Sequence, residues 1–509
     1  MAKNEAPTID VKLFVDKEKK KVLFAESDKE FVDVLFGFLT MPLGTIVRLL
    51  GKQSQMGCLD ELYKSVEDLS SEHFQTKASK AMLLKPLNAA SSHCCRLKIN
   101  IDDTNPRAVY VCTDTNCCAH GDCAFSSVPD TLCKCGKVRE YAGDRPEGDA
   151  KTTAAGGSGN GVFVKGCQKF ITTDDLQVAP ASTSLMMSLC SKFGVQDPAD
   201  LEQSILQLTS EKISSFLKRS LTSQQPLTGL YFGIPIPSDD ASLDMLMLPR
   251  ILCPEQASEA EDKIGDVKIK VLQTKINSDV LYAEVGHDFV ELFFGLLGVP
   301  LGSITKIFGQ SSSKGCVDNL YRSIDASSTE GYMGPDCQNL LLAPELAAFS
   351  GSSASHILQV NESAPRKLNI NSCFKCLKIG GFSNLSRCRV VYNSSYTNCQ
   401  NGRKTAVLCE LDPKSPGGKT SNSDAYYVKR APQSFMVTDD LRVCPLSLDS
   451  SLRVVSEGKI QMKDLVEKEV TLTKFQVIEL LRAALISRGA LSSVLLPPKK
   501  KKNLKHLRY

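Results

Sequence analysis

The chain opens with two short apolar runs, VKLFV (11–15) and VLFAE (22–26), joined by the polar stretch DKEKKK. Alternation, length and the turn predict a β-hairpin. IKVLQ (269–273) and VLYAE (280–284) repeat the pattern. A helix is expected next: Phe31, Val34, Leu35, Phe38 and Leu39 share one face, as do Phe289, Leu292, Phe293, Leu296 and Leu297. Ser27 followed by Glu30 reads as a capping box for the first of these helices. Pro42 and Pro300 stop that helix or open the next, and Gly51 and Gly309 close a short amphipathic piece. A further helix carries Leu59, Leu62, Tyr63 and Val66, mirrored by Val317, Leu320, Tyr321 and Ile324. AVYVC (108–112) and RVVYN (389–393) read as strands, and 199–222 and 463–487 as helical regions.

These elements recur because the chain repeats itself. Residues 22–63 align without a gap on 280–321, and about half the positions are identical. ITTDDLQVAP (171–180) then matches MVTDDLRVCP (436–445). The repeat predicts an α+β protein of two tandem homologous units, each a β-hairpin packed on amphipathic helices with further strands and a helical end. The expected boundaries are 8–248 for the first unit, 249–264 for an acidic linker, 265–497 for the second unit and 498–509 for a basic tail. The Pro/Gly/Ser-rich stretches 143–161 and 412–424 read as inserted loops.

Composition narrows the function classes. A net charge of +4 over 509 residues gives no global field for nucleic acid or membrane. Tryptophan is absent and aromatics are 6%, which disfavours a base-stacking surface. No secretory signal or membrane-spanning stretch is apparent, so a cytoplasmic or nuclear protein is expected. In that setting the 20 cysteines are thiols or metal ligands rather than disulfides.

The hairpin-helix opening, the GCLDELYKSVEDL helix and the TDDL-x-V-x-P element together resemble a plant family catalogued as domain of unknown function 674. The resemblance covers nearly the whole chain. It implies a plant source and supplies no catalytic residues, because the family has no established activity. Its first unit tends to carry a cysteine series like Cys112, Cys117, Cys133 and Cys135 here, with a glycine after the last, as Gly136 is.

That series is the sharpest chemical feature. Residues 110–137 hold Cys112, Cys117, Cys118, Cys123, Cys133, Cys135 and His120. Cys112/Cys117 and Cys133/Cys135 could enclose one structural Zn²⁺, since thiolates are preferred ligands of closed sites. The competing reading makes several of them small buried hydrophobes. In the second repeat the aligned stretch keeps only Cys399 and Cys409, and Ser394 faces Cys112, so a site in the first repeat alone is expected. Cys373 and Cys376 do not align with the series.

Other candidates are weaker. None of the six histidines is shared between the repeats. Asp174/Asp175 and Asp439/Asp440 are shared, and read as a turn or helix cap rather than a metal site. GGSGNG (156–161) and GGKTS (417–421) lack the context of a phosphate loop. Lys499–Lys502 read as a solvated tail that could also touch RNA phosphates. The expectation is a non-catalytic protein-interaction protein with an unknown protein partner and no membrane association; the alternative is a zinc-supported nucleic-acid binder.

Overall fold

The computed structural model describes residues 6–113, 124–145, 161–166, 168–197, 199, 201–236, 267–275, 280–309, 315–372, 404–416 and 426–496. The expected strand at 389–393, the linker 249–264, the tail 498–509, both glycine-rich loops apart from Gly161, and Cys373, Cys376 and Cys399 lie outside them. The fold is α+β, with mostly antiparallel sheets.

The hairpin forms as expected. β1 (Ile9–Asp16) buries Ile9, Val11, Leu13 and Val15 on one face. It pairs with β2 (Lys21–Ser27). β2 also pairs with β6 (Phe170–Thr173), and β6 with β7 (Val178–Pro180). On the other side β1 pairs with β8 (Leu201–Leu208) along its whole length. The order is β7-β6-β2-β1-β8. A second sheet runs β14-β13-β10-β9-β15 in the same arrangement. It is built from β9 (Val267–Thr274), β10 (Val280–Val285), β13 (Phe435–Thr438), β14 (Val443–Pro445) and β15 (Leu465–Leu472).

Two local expectations need correction. The regions 199–222 and 463–487 are not wholly helical: each opens with an edge strand, β8 or β15, and only then turns into a helix, α5 (Ser210–Thr222) or α11 (Lys474–Ile486). Thr209 and Thr473 cap these helices and mark the switch. The capping box at Ser27 is also absent. Ser27 is still in β2, paired with Phe170, and its Oγ is buried without a hydrogen-bond partner among the described residues. Asp28 stands at the N-cap of α1 (Lys29–Gly37) and makes an ion pair with Lys169 instead.

α1 and its counterpart α7 (His287–Gly295) are largely apolar, yet each buries one acidic residue at the same repeat position, Asp33 and Glu291. Asp33 accepts from the amides of Val162, Phe163 and Val164 at 2.6–3.1 Å. Glu291 accepts from those of Tyr427 and Val428 at 2.9 Å. Each carboxylate thus satisfies backbone donors of a segment that would otherwise be buried unpaired.

The helices named by the GC motif are exchanged between the sequence repeats. α3 (Leu59–Asp68) follows Gly57-Cys58, and Ser65 accepts from Val443 N in β14 at 2.8 Å. α9 (Val317–Glu330) follows Gly315-Cys316, and Ser323 accepts from Val178 N in β7 at 2.9 Å. Cys58 N donates to Ala484 O at the end of α11, and Cys316 N to Ser220 O near the end of α5. Gly57 and Gly315 lie so close to those helix ends that a β-carbon on either would clash with backbone atoms. The chain divides into two compact units, 1–54 with 66–236 and 291–430, and 55–65 with 237–290 and 431–509. Both sequence repeats contribute to each.

The PLG segments that lead to these helices meet each other. Pro42 opens α2 (Leu43–Leu49) and Pro300 opens α8 (Leu301–Phe308). Pro42 forms an antiparallel bridge with Pro300, its own counterpart in the repeat. Leu43 N donates to Val299 O at 3.0 Å and Leu301 N to Met41 O at 2.9 Å. A position that pairs with its own copy is the mark of a local twofold axis.

A third sheet, β11-β12-β4-β3-β5, takes strands from both repeats. β3 (Ala108–Val111), β4 (Ala124–Ser126) and β5 (Glu140–Asp144) come from the first, β11 (Lys367–Ser372) and β12 (Lys404–Glu410) from the second. The join is the parallel pair β4–β12. Buried Glu410 sits beside it. Its carboxylate takes Nε and a terminal nitrogen of Arg366 at 3.0 and 2.7 Å and the Ser127 hydroxyl at 2.6 Å. Burial alone would raise its pKa, but the Arg366 bonds and charge and the Ser127 bond hold the carboxyl below its usual range.

Two outcomes are expected. Arg366→Ala strands the Glu410 carboxylate and lowers stability by about 3 kcal/mol, read by urea denaturation. Residues 1–264 and 265–509 produced separately each lack a helix that covers their own sheet. Neither alone gives a cooperative unfolding transition, and mixing them restores one. A cooperative transition from either half alone contradicts the exchange.

Candidate metal centre

The polypeptide around the cysteine series is a tight turn beside the third sheet. Leu132 and Val138 form a bridge, Cys133 N donates to Lys137 O at 2.8 Å, and Gly136 N donates to Cys133 O at 2.9 Å. Gly136 has φ +82°, a left-handed conformation that glycine adopts without strain. The chain before the turn is fixed by a polar knot. The hydroxyls of Ser126 and Thr131 both donate to Val128 O, and Val128 N donates back to Ser126 Oγ. Arg139 follows the turn, is buried, and donates through its guanidinium to Ala124 O in β4.

This scaffold brings three of the four expected ligands together. The sulfurs of Cys112, Cys133 and Cys135 all lie within 4.8 Å of one another. Cys112 and Cys135 are 3.6 Å apart. Cys112, just past β3, and Cys133 are buried, and Cys135 is exposed. Such a set of soft donors could hold a metal ion. Cys117, the fourth expected ligand, lies outside the described residues, as do Cys118, His120 and Cys123. Among the described residues no second group of this kind occurs.

The shared TDDL elements are turns that also cap a helix. Thr173 donates to Asp175, and Thr438 to Asp440. Leu176 and Leu441 have φ of +64° and +62°. The first aspartate of each pair reaches a short C-terminal helix. Asp174 accepts from Thr228 N and Oγ1 in α6 (Pro226–Tyr231), and Asp439 from Ser492 N and Oγ in α12 (Ala490–Leu495). Burial pushes both carboxyls above their usual pKa, against these hydrogen bonds. Burial also raises Asp318, in the first turn of α9, to about 6.

Sequence reasoning passed over Asp33 and Glu291. The signal was present: one carboxylate within the apolar run of a helix, kept in both repeats. Of the described histidines, His93 stacks on Phe163 at 6.1 Å, and burial lowers its pKa. The pocket beside it, lined by Val34, Phe38, Met41, Cys94, Leu97 and Ile99, has room for about one water molecule.

A family model for proteins of unknown function, DUF674, matches residues 5–475. The chain belongs to the DUF674 family. No curated protein and no solved structure matches this DUF674 chain. Among its described residues no helix is long and apolar enough to cross a membrane.

Asp174, Asp318 and Asp439 set a pH dependence. An acid with a raised folded pKa keeps its proton in the folded chain after the unfolded chain has lost it, so stability falls as pH rises through that interval. For Asp318 the interval runs from 3.8 to about 6, and for Asp174 and Asp439 it begins at 3.8. Asp318→Asn is expected to flatten the part of the stability–pH curve nearest pH 6. Denaturant midpoints measured across this range, wild type against variant, check it.

Proposed function

We propose that the protein is a non-catalytic interaction protein in which two related units, derived by duplication, present related surfaces to protein partners. One observation carries this reading. The helix after each TDDL element packs by one line of side chains and turns another line outward. In α4 (Thr183–Phe193), Leu185, Leu189 and Phe193 pack on Leu23, Phe24 and Ile171, while Met187 is 64% exposed. In α10 (Leu448–Glu457), Val455 is buried, while Leu448 and Leu452 are 84% and 57% exposed. Large apolar side chains kept in water at corresponding places suit docking better than folding.

The acidic residues kept in both repeats support the same reading. Asp33, Glu291, Asp174 and Asp439 each grip backbone donors. These four serve the fold. A second reading, a zinc-supported nucleic-acid binder, draws on the thiol cluster. Its signature is binding to RNA or DNA that weakens steeply with salt; lack of retention at low salt removes it.

The test compares proteins retained by the immobilised full chain and by a Met187→Glu, Leu452→Glu variant with an unchanged unfolding curve. The expected result is one or more specific partners whose retention drops at least tenfold in the variant. Identical retention by both forms, or saturable turnover of a metabolite, would sink the reading.

A further inference from the structure

We propose that Cys112, Cys133 and Cys135 bind one Zn²⁺ as thiolates, and that the ion ties the end of β3 to the Cys133–Lys137 turn. The proposal is independent of the interaction reading above. It rests on donor chemistry, spacing, placement and access.

The donors are three sulfurs, the ligand type that zinc takes in closed protein sites. Two thiolates at the usual Zn–S length of about 2.3 Å, on adjacent corners of a tetrahedron, stand about 3.8 Å apart. Cys112 and Cys135 are 3.6 Å apart, and every sulfur pair in the triad is within 4.8 Å. A disulfide needs a sulfur separation near 2.05 Å and uses two cysteines; here three converge.

Placement separates this triad from ordinary core cysteines. The apolar cluster of the third sheet is Val109, Phe125, Leu368 and Leu408, without a sulfur atom. The thiols gather at its margin, and Cys135 is exposed, which gives an ion a way in. Contrast Cys58 and Cys316, each enclosed and donating to a backbone carbonyl in the other repeat. Those two behave as small buried residues.

The backbone is prepared for the ion. The hydrogen-bonded turn with left-handed Gly136 sets Cys133 and Cys135 two residues apart on one side. Arg139 and the Ser126–Thr131 knot fasten the same segment to β4. Each thiol releases its proton to solvent as its sulfur bonds to the metal, so affinity falls toward acid pH.

The test is zinc per chain by elemental analysis on the full-length protein, purified under reducing conditions without added metal. About one zinc is expected in wild type and in Cys190→Ser, and little in Cys112→Ser, Cys133→Ser or Cys135→Ser. Should those variants fail to fold, chelated wild type titrated with Co²⁺ decides. A thiolate-to-cobalt charge-transfer band that saturates near one equivalent supports the site. Folded, metal-free wild type that develops no such band overturns it. So does zinc kept by all three variants, or an intact mass lighter by two hydrogens at this cluster, which would make it a disulfide pair.

Discussion

Two glycines set the architecture. Gly57 and Gly315 each place a helix start against the last turn of another helix, where a β-carbon would overlap carbonyl groups. The next residue, Cys58 or Cys316, donates its amide to a carbonyl that the helix end leaves over. Because that neighbouring helix belongs to the other sequence repeat, α3 and α9 are committed to the other repeat's sheet. Ser65 and Ser323 then complete the docking by accepting a strand amide. Upstream of the two exchanged helices, Pro42 pairs with Pro300.

The hairpins, the apolar helices and the Pro and Gly punctuation were legible because each is a local matter of period and backbone freedom. The exchange was not legible, because a repeat reveals which segments correspond and not which copy they pack on. β8 and β15 were misread for a different reason. LEQSILQL and LVEKEVTL are rich in helix formers, yet each pairs with eight consecutive residues of a neighbouring strand. Ser27 failed as a cap because β2 claims it for pairing. At the candidate site, spacing alone brought out Cys112, Cys133 and Cys135, since a turn that short leaves the last two little freedom to part.

Buried and half-buried carboxylates recur, and they share one task. Asp33 and Glu291 hold a returning segment by its amides; Asp174 and Asp439 hold the start of a C-terminal helix. Glu410 holds Arg366 and Ser127 at the join of the third sheet. Each site trades a desolvation cost for donors that would otherwise be stranded. This use gives Asp33, Glu291, Asp174 and Asp439 a structural role. An anchor must face inward, whereas a catalytic acid must face a substrate.

The third sheet is where the repeats part company, and the asymmetry has a physical logic. Among the described residues its apolar cluster is Val109, Phe125, Leu368 and Leu408. The sheet is completed by other means. On the second repeat's side the Glu410–Arg366 pair links β11 to β12 and reaches Ser127 beyond β4. On the first repeat's side β3 and the Cys133 turn have hydrogen bonds and a thiol cluster. The thiol cluster on one flank, which could hold a metal ion, and the Glu410–Arg366 pair on the other each belong to one repeat only. The second repeat, with Ser394 facing Cys112, fits that division of labour.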